Sequence, residues 1–288
     1  MNVVIEDDNK NKKKLKIFYI TIISICIIAV FATLIIQINQ EVGLPTGGNG
    51  NTVRLPELTD DRISKYKQQF NEIFKNKVNY LENNGYKIDK KEEAEEIVYI
   101  GYQNAENKVN DYELDVNIPY INIKNEIIDE FNKQIKETFE QKAKSILNTK
   151  NSNVIYTVNF SAYVNNNILS LVVRSTLKEG GNPQRDIVQT YNYDLKNQKK
   201  CTVDSLLEMK GITKKDAGQK IKEEIKNVQI RVEELKKLGY PIYSRDYTSD
   251  IYNINNVTEY FMGEDSALYI IYAYGNLNHT SEMDIVVM

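Results

Sequence analysis

With 288 residues, 41% of them apolar and 27% charged, the chain can bury a core, and its net charge of −3 is small. Only 13 Gly and 5 Pro exclude collagen-like and linker-dominated chains. Two Cys and a single His exclude a disulfide framework and the His-rich zinc sites.

Residues 1–16 hold Lys10, Lys12, Lys13, Lys14 and Lys16 against Glu6, Asp7 and Asp8. The run IFYITIISICIIAVFATLII at 17–36 carries no charge. At about 1.5 Å per residue it covers about 30 Å, the thickness of a hydrocarbon core. Its Thr21, Ser24 and Thr33 are residues that a helix satisfies through its own carbonyls. A cleaved signal peptide has a shorter apolar region, about 7–15 residues, and this run continues past the small residue Ala32. Residues 17–37 are therefore expected to form one uncleaved transmembrane helix. The lysines keep residues 1–16 in the cytoplasm and place the remainder outside, as a single-pass protein of the cell membrane. The first sixteen residues carry +2 of the total −3, which leaves −5 beyond them. No basic stripe for nucleic acid follows.

Residues 38–58, rich in Gly, Asn and Pro, read as a linker. Thr59, Asp60 and Asp61 start an amphipathic juxtamembrane helix over 59–85, with Ile63, Tyr66, Phe70, Phe74, Val78 and Leu81 spaced by three and four. Asn83-Asn84-Gly85 stops it.

Residues 86–288 are expected to form one extracellular α+β domain, with a candidate sub-boundary near 200–212. Strands alternate over 97–103 and 112–123, where Pro119 suits an edge or a strand end. An amphipathic helix over 124–147 presents Ile128, Phe131, Ile135, Phe139, Ala143 and Ile146. Strands 154–164, 168–177 and 186–195 form an antiparallel meander, turned at Asn165-Asn166-Asn167 and at Gly180-Gly181-Asn182-Pro183. Thr213 and Asp216 resemble a capping box opening a helix over 213–238. Ala217, Ile221, Ile225, Val228, Val232, Leu235 and Leu238 line its oily face, and Gly239 and Pro241 end it. Two or three strands close the chain over 257–288. The expected fold is α+β, an antiparallel sheet with helices packed on it, preceded by one transmembrane helix.

Chemistry is sparse. No phosphate loop, nucleophile elbow or H-E-x-x-H is present, and a Ser–His–Asp triad rests on His279 alone. Glu92, Glu93, Glu95 and Glu96 read as a solvated run, and Glu264-Asp265 beside Gly263 as a turn. No cofactor, metal or catalytic residue is expected. Cys201 reads as a small apolar filler. The polar, aromatic stretch YAYGNLNHTSEMD reads first as a long hairpin loop, and offers Tyr272, Tyr274, Asn276, Asn278, His279 and Glu282 as a candidate binding set for a sugar or peptide.

The stretch YNYDLKNQKK, followed by Thr202-Val203-Asp204-Ser205-Leu206-Leu207, resembles the "nYDlktGk…tl.dLf" signature of an extracellular domain of low-GC bacteria. That family is shared by the lysozyme-sensing anti-sigma factor and some peptidoglycan deacetylases. The segment IPYINIKNEIIDEFNKQI and the Gly180-Gly181 turn are similar to two further parts of its pattern, so the likeness spans roughly residues 96–288. Where the family often continues with His, this chain has Asn182-Pro183-Gln184. An Asn-, Lys-, Ile- and Tyr-rich composition without Trp matches an AT-rich genome. The resemblance implies a non-enzymatic binding or sensor domain at the cell envelope, taking a wall glycan or a lysozyme-like protein as ligand. The alternatives are a regulatory receptor signalling through a partner membrane protein, and a carboxylate-dependent wall hydrolase or deacetylase accessory protein. A sixteen-residue tail is too short to fold into the domain with which an anti-sigma factor masks its target.

Overall fold

The computed structural model describes residues 60–81, 88–165, 167–273 and 281–288. The expected membrane helix at 17–37, the linker at 38–58 and the Asn83-Asn84-Gly85 stop lie outside the described residues. Among those described, no helix is long and apolar enough to cross a membrane. All of them belong to one compact unit.

Helix α1 (Asp60–Gln69) starts with Asp60 and Asp61 at the positive end of its dipole. It is shorter than the spacing predicts. After a 3₁₀ turn (Phe70–Glu72) the chain enters strand β1 (Lys77–Tyr80). Asn76, at a φ of 54°, is left-handed and breaks the helix. Its side chain donates to Asn159 Oδ1 at 2.8 Å and accepts from the Phe160 amide at 2.9 Å. Those bonds seat β1 beside residues 161–164. Val78 and Leu81 matched a helical period only because a few apolar residues fit either period in a short window.

Strands β2 (Val98–Lys108) and β3 (Tyr112–Ile121) pair antiparallel. Pro119 sits beyond the stretch of β3 that pairs with the next strand and opposite a bulge between Ile100 and Tyr102, where its missing N–H disturbs no ladder. Helix α2 (Glu126–Ile135), capped by the Asn125 side chain on the Ile127 amide, runs through a π turn (Lys136–Glu140) into α3 (Gln141–Asn148). Phe131, Ile135, Phe139 and Ala143 recur every four residues, which drifts off a 3.6-residue coil. The wider π turn returns them to one face. All six apolar residues expected on that face are buried.

Strands β4 (Val154–Asn165), β5 (Ile168–Glu179) and β6 (Arg185–Asp194) form the expected meander, and β7 (Lys199–Lys200) adds a short edge. The sheet of seven strands runs β2-β3-β4-β5-β6-β7, with β1 also on β4. It is mainly antiparallel, but two pairings on β4 are parallel: β3 along 154–158 and β1 along 161–164. The α2–α3 crossover carries the chain from β3 back to start β4 in the same direction.

A second sheet has three antiparallel strands, β8 (Glu259–Met262), β9 (Leu268–Ala273) and β10 (Met283–Val287), in the order β10-β9-β8. Its alternation divides its two faces cleanly. Met262, Leu268, Ile270, Tyr272 and Val286 join Leu206 and Leu207 of α4 (Val203–Met209) and Ala217, Ile221 and Ile225 of α5 (Lys214–Lys237). Phe261, Tyr269, Ile271 and Val287 face the large sheet's Tyr163, Val172 and Val188, and Ile63 and Tyr66 of α1 with Phe70 of the 3₁₀ turn close that layer. The order is helix, large sheet, small sheet, helix. Residues 201–258, which include α4 and α5, lead from the last strand of the large sheet to the first of the small one.

Candidate binding surface

The stretch at 191–207 is scaffold. Tyr191, Tyr193 and Leu195 are buried in the core beneath α2. Asp194 Oδ1 accepts from the Lys196 and Asn197 amides, at 3.0 and 2.9 Å, and Gln198 is left-handed at a φ of 52°. This Asx turn folds Lys199 and Lys200 back onto β6. Thr202 caps α4 through the Ser205 amide at 3.2 Å. The Cys201 thiol is pushed up to about 12 by burial, with Asp194 adding to it, so thiolate is negligible at neutral pH.

Of the candidate set in the C-terminal stretch, Tyr274, Asn276, Asn278 and His279 lie outside the described residues. Tyr272 is buried, because it shares the register of Leu268 and Ile270 facing α5. Its ring meets that of Tyr252 edge-on, with centroids 4.9 Å apart. Glu282 sits just before β10, accepting from the Tyr243 amide at 3.1 Å and from Arg245 Nη1 at 2.6 Å.

Arg245 organises this end of the molecule. Its buried guanidinium donates through Nε to both carboxylate oxygens of Asp284, at 3.1 and 3.0 Å, and through Nη1 to the Tyr243 carbonyl at 2.7 Å. Tyr252 Oη donates to Asp284 Oδ2 at 2.8 Å. A buried charge pair persists only when its remaining hydrogen-bonding capacity is met, and here it pins residues 243–245 against β10.

From the end of α5 to this pinned segment the chain exposes large apolar side chains. Ile230 and Tyr240 are each 53% exposed, Leu238 is 74% and Tyr243 is 43%. The spacing assigned Leu238 to the oily face of α5, but Val232 is the last residue of that face to be buried. The final turns of the helix outrun the sheet beneath them. A Schellman motif then turns the chain: the Tyr240 amide donates to the Leu235 carbonyl at 3.2 Å, the Gly239 amide to the Lys236 carbonyl at 2.9 Å, and Gly239 has a φ of 89°. Two tyrosines on a braced turn supply contact area and hydroxyls at low entropic cost. The sequence held a signal for this surface, the Gly239-Tyr240-Pro241 stop, but it reads first as punctuation.

Other groups with chemical potential lie elsewhere. Glu140 is buried, which raises its pKa, yet hydrogen bonds from Lys144 and Tyr120 hold the carboxyl below its ordinary value. Glu259 is pushed up to about 7, chiefly by burial, and Lys210 down to about 8, again by burial, with Lys220 adding to it. Among the described residues no three His, Cys, Asp or Glu side chains gather as a metal site.

No protein-family model and no curated protein matches the chain. Among solved structures, it is similar to a DUF3298 family protein of Pseudomonas aeruginosa PAO1, with 11% identity, a TM-score of 0.38, and coverage of 66% of this chain and 84% of that one. It is also similar to a member of the same family from Bacteroides fragilis, with 12% identity, a TM-score of 0.34, and coverage of 61% and 80%.

Proposed function

We propose that this is a single-pass membrane protein whose outer domain binds a ligand at the bacterial cell envelope without transforming it, through the surface of Ile230, Leu238, Tyr240 and Tyr243. The observation that carries this reading is the exposure of two aliphatic side chains along the end of α5 and of two tyrosines in the turn that follows, the second of them held by Arg245. Exposed apolar clusters of this kind mark contact sites when their support is rigid. The uncharged run at 17–36 and its flanking lysines support the anchor.

By resemblance, the ligand is a wall glycan or a lysozyme-like protein. Tyrosine faces stack on the apolar sides of sugar rings, and their hydroxyls bond sugar hydroxyls. The net −5 beyond the first sixteen residues suits a basic protein. The test is retention of the full chain, in detergent micelles, on insoluble peptidoglycan and on immobilised lysozyme. Retention on one of them is expected, weakened about tenfold or more by Tyr240→Ala with Tyr243→Ala, since such anchors carry about 2 kcal/mol or more. Retention on neither removes the ligand assignment.

A further inference from the structure

Strand β8 is the edge of the small sheet, and β9 covers only one of its sides. Its other side is satisfied by side chains standing on the large sheet. The Tyr260 amide donates to Thr190 Oγ1 at 3.0 Å, and Asn192 Nδ2 donates to the Tyr260 carbonyl at 2.7 Å. The Met262 amide donates to Ser170 Oγ at 3.1 Å, and Ser170 Oγ in turn to Asn192 Oδ1 at 2.7 Å. Thr190, Asn192 and Ser170 thus replace a partner strand along an edge that would otherwise be orphaned.

An ionisable group grips the start of this row. At the start of β8, Glu259 Oε2 accepts from the Thr190 amide at 2.7 Å and from Thr190 Oγ1 at 3.1 Å. At the far end the β8–β9 turn carries Asp265 and Ser266, both left-handed at φ values of 52° and 58°. There Lys210 Nζ donates to the Ser266 carbonyl at 2.7 Å, and Asn165 Nδ2 to Ser266 Oγ at 2.9 Å. We propose that docking of the small sheet on the large one is a pH-sensitive device, with Glu259 as the titrating clasp at the start of β8.

The charges facing the clasp are few. Lys200 of β7 favours ionised Glu259, and Tyr191 of β6 and Tyr260 of β8 are its other titratable neighbours. Lys210 faces Lys220 of α5, which disfavours its charge. On the same turn Asp265 is held by Tyr66 and Arg62 of α1, and Glu264 lies beside it.

Burial outweighs the hydrogen bonds at this carboxyl. Glu259 rises from 4.5 to about 7, against the Thr190 hydrogen bonds, which favour its charge. The docked state therefore holds more protons than the undocked one between about pH 4.5 and 7, and docking weakens as pH rises through that window. Above it the half-buried carboxylate is charged within the seam, which is then at its weakest. Acidification closes it.

The experiment is hydrogen exchange on the full chain in detergent micelles, read at the Tyr260 and Met262 amides and corrected for the intrinsic pH dependence of exchange. Protection should rise about twentyfold from pH 7.5 to 5.5. Glu259→Gln should flatten this rise. A flat wild-type profile overturns the device, and a rise that survives Glu259→Gln overturns the clasp. The readout does not depend on any ligand.

Discussion

The two faces of the large sheet are held by different physics. On one, α2 and α3 lay Ile128, Phe131, Ile135, Phe139, Ala143 and Ile146 against Leu114, Val116, Val158, Phe160, Leu171 and Val173, all buried. Contact there is non-directional and scales with the area removed from water. On the other, Tyr163, Val172 and Val188 supply apolar contact, but the register of β8 is set by Thr190, Asn192 and Ser170. A face that is only oily tolerates sliding and repacking. Directional bonds fix one position and fail when a partner is lost, so the first face secures the fold and the second decides how the small sheet sits.

The largest expected effect tests the oily face. Phe139 is fully buried at the π turn. Phe139→Ala should lower unfolding stability by about 3–5 kcal/mol, through lost transfer energy and an unfilled cavity, measured by urea denaturation. A loss below about 1 kcal/mol would mean that the π turn does not hold the helix on the sheet. The next test sharpens the contrast by making near-isosteric exchanges on both faces. Leu171→Met, facing α2, should cost less than about 1.5 kcal/mol. Asn192→Leu should cost about 2–4 kcal/mol, because it leaves the Tyr260 carbonyl without the Asn192 donor and the buried Ser170 hydroxyl proton without its acceptor. Equal costs would break the comparison, since the seam would then be ordinary packing.

This contrast also explains what was legible in the sequence. Elements whose role is to bury one face announce themselves by period: all six expected residues of α2 and α3 are in the core, and the β4–β5–β6 meander runs as its alternation predicts. Roles that depend on pairing across the chain leave no periodic mark. Strand β1 forms because Asn76 meets Asn159 and Phe160, more than eighty residues away, and nothing near Asn76 encodes that meeting. Thr190, Asn192 and Ser170 read locally as the polar side of a meander, although two of them are buried beneath β8. The candidate surface was half visible. The C-terminal hairpin drew attention by its tyrosines, but Tyr272 belongs to the core. Tyr240 and Tyr243, which are exposed, lie in a segment whose Gly and Pro read as a helix stop and whose anchor, Arg245, binds carboxylates about forty residues on.

The smallest expected effect concerns α5, whose two ends differ as the two sheet faces do. Its N-terminus is fixed by Thr213, which accepts from the Asp216 amide at 3.1 Å and donates from its hydroxyl to the Asp216 carboxylate at 2.6 Å. Below it Ala217, Ile221 and Ile225 are buried against the small sheet. Its C-terminus bears exposed Leu238 and leads into Tyr240. Thr213→Ala should therefore cost about 1 kcal/mol of stability, the usual loss of a capping hydroxyl, and leave retention on peptidoglycan or lysozyme unchanged. Leu238→Ala should do the reverse, with stability within about 0.5 kcal/mol of wild type, as expected for an exposed site, and retention reduced. The pair separates support from contact along one helix. If Thr213→Ala weakened retention as much as Leu238→Ala does, the whole of α5 would be moving with the ligand, and its exposed end would lose its claim to be the contact.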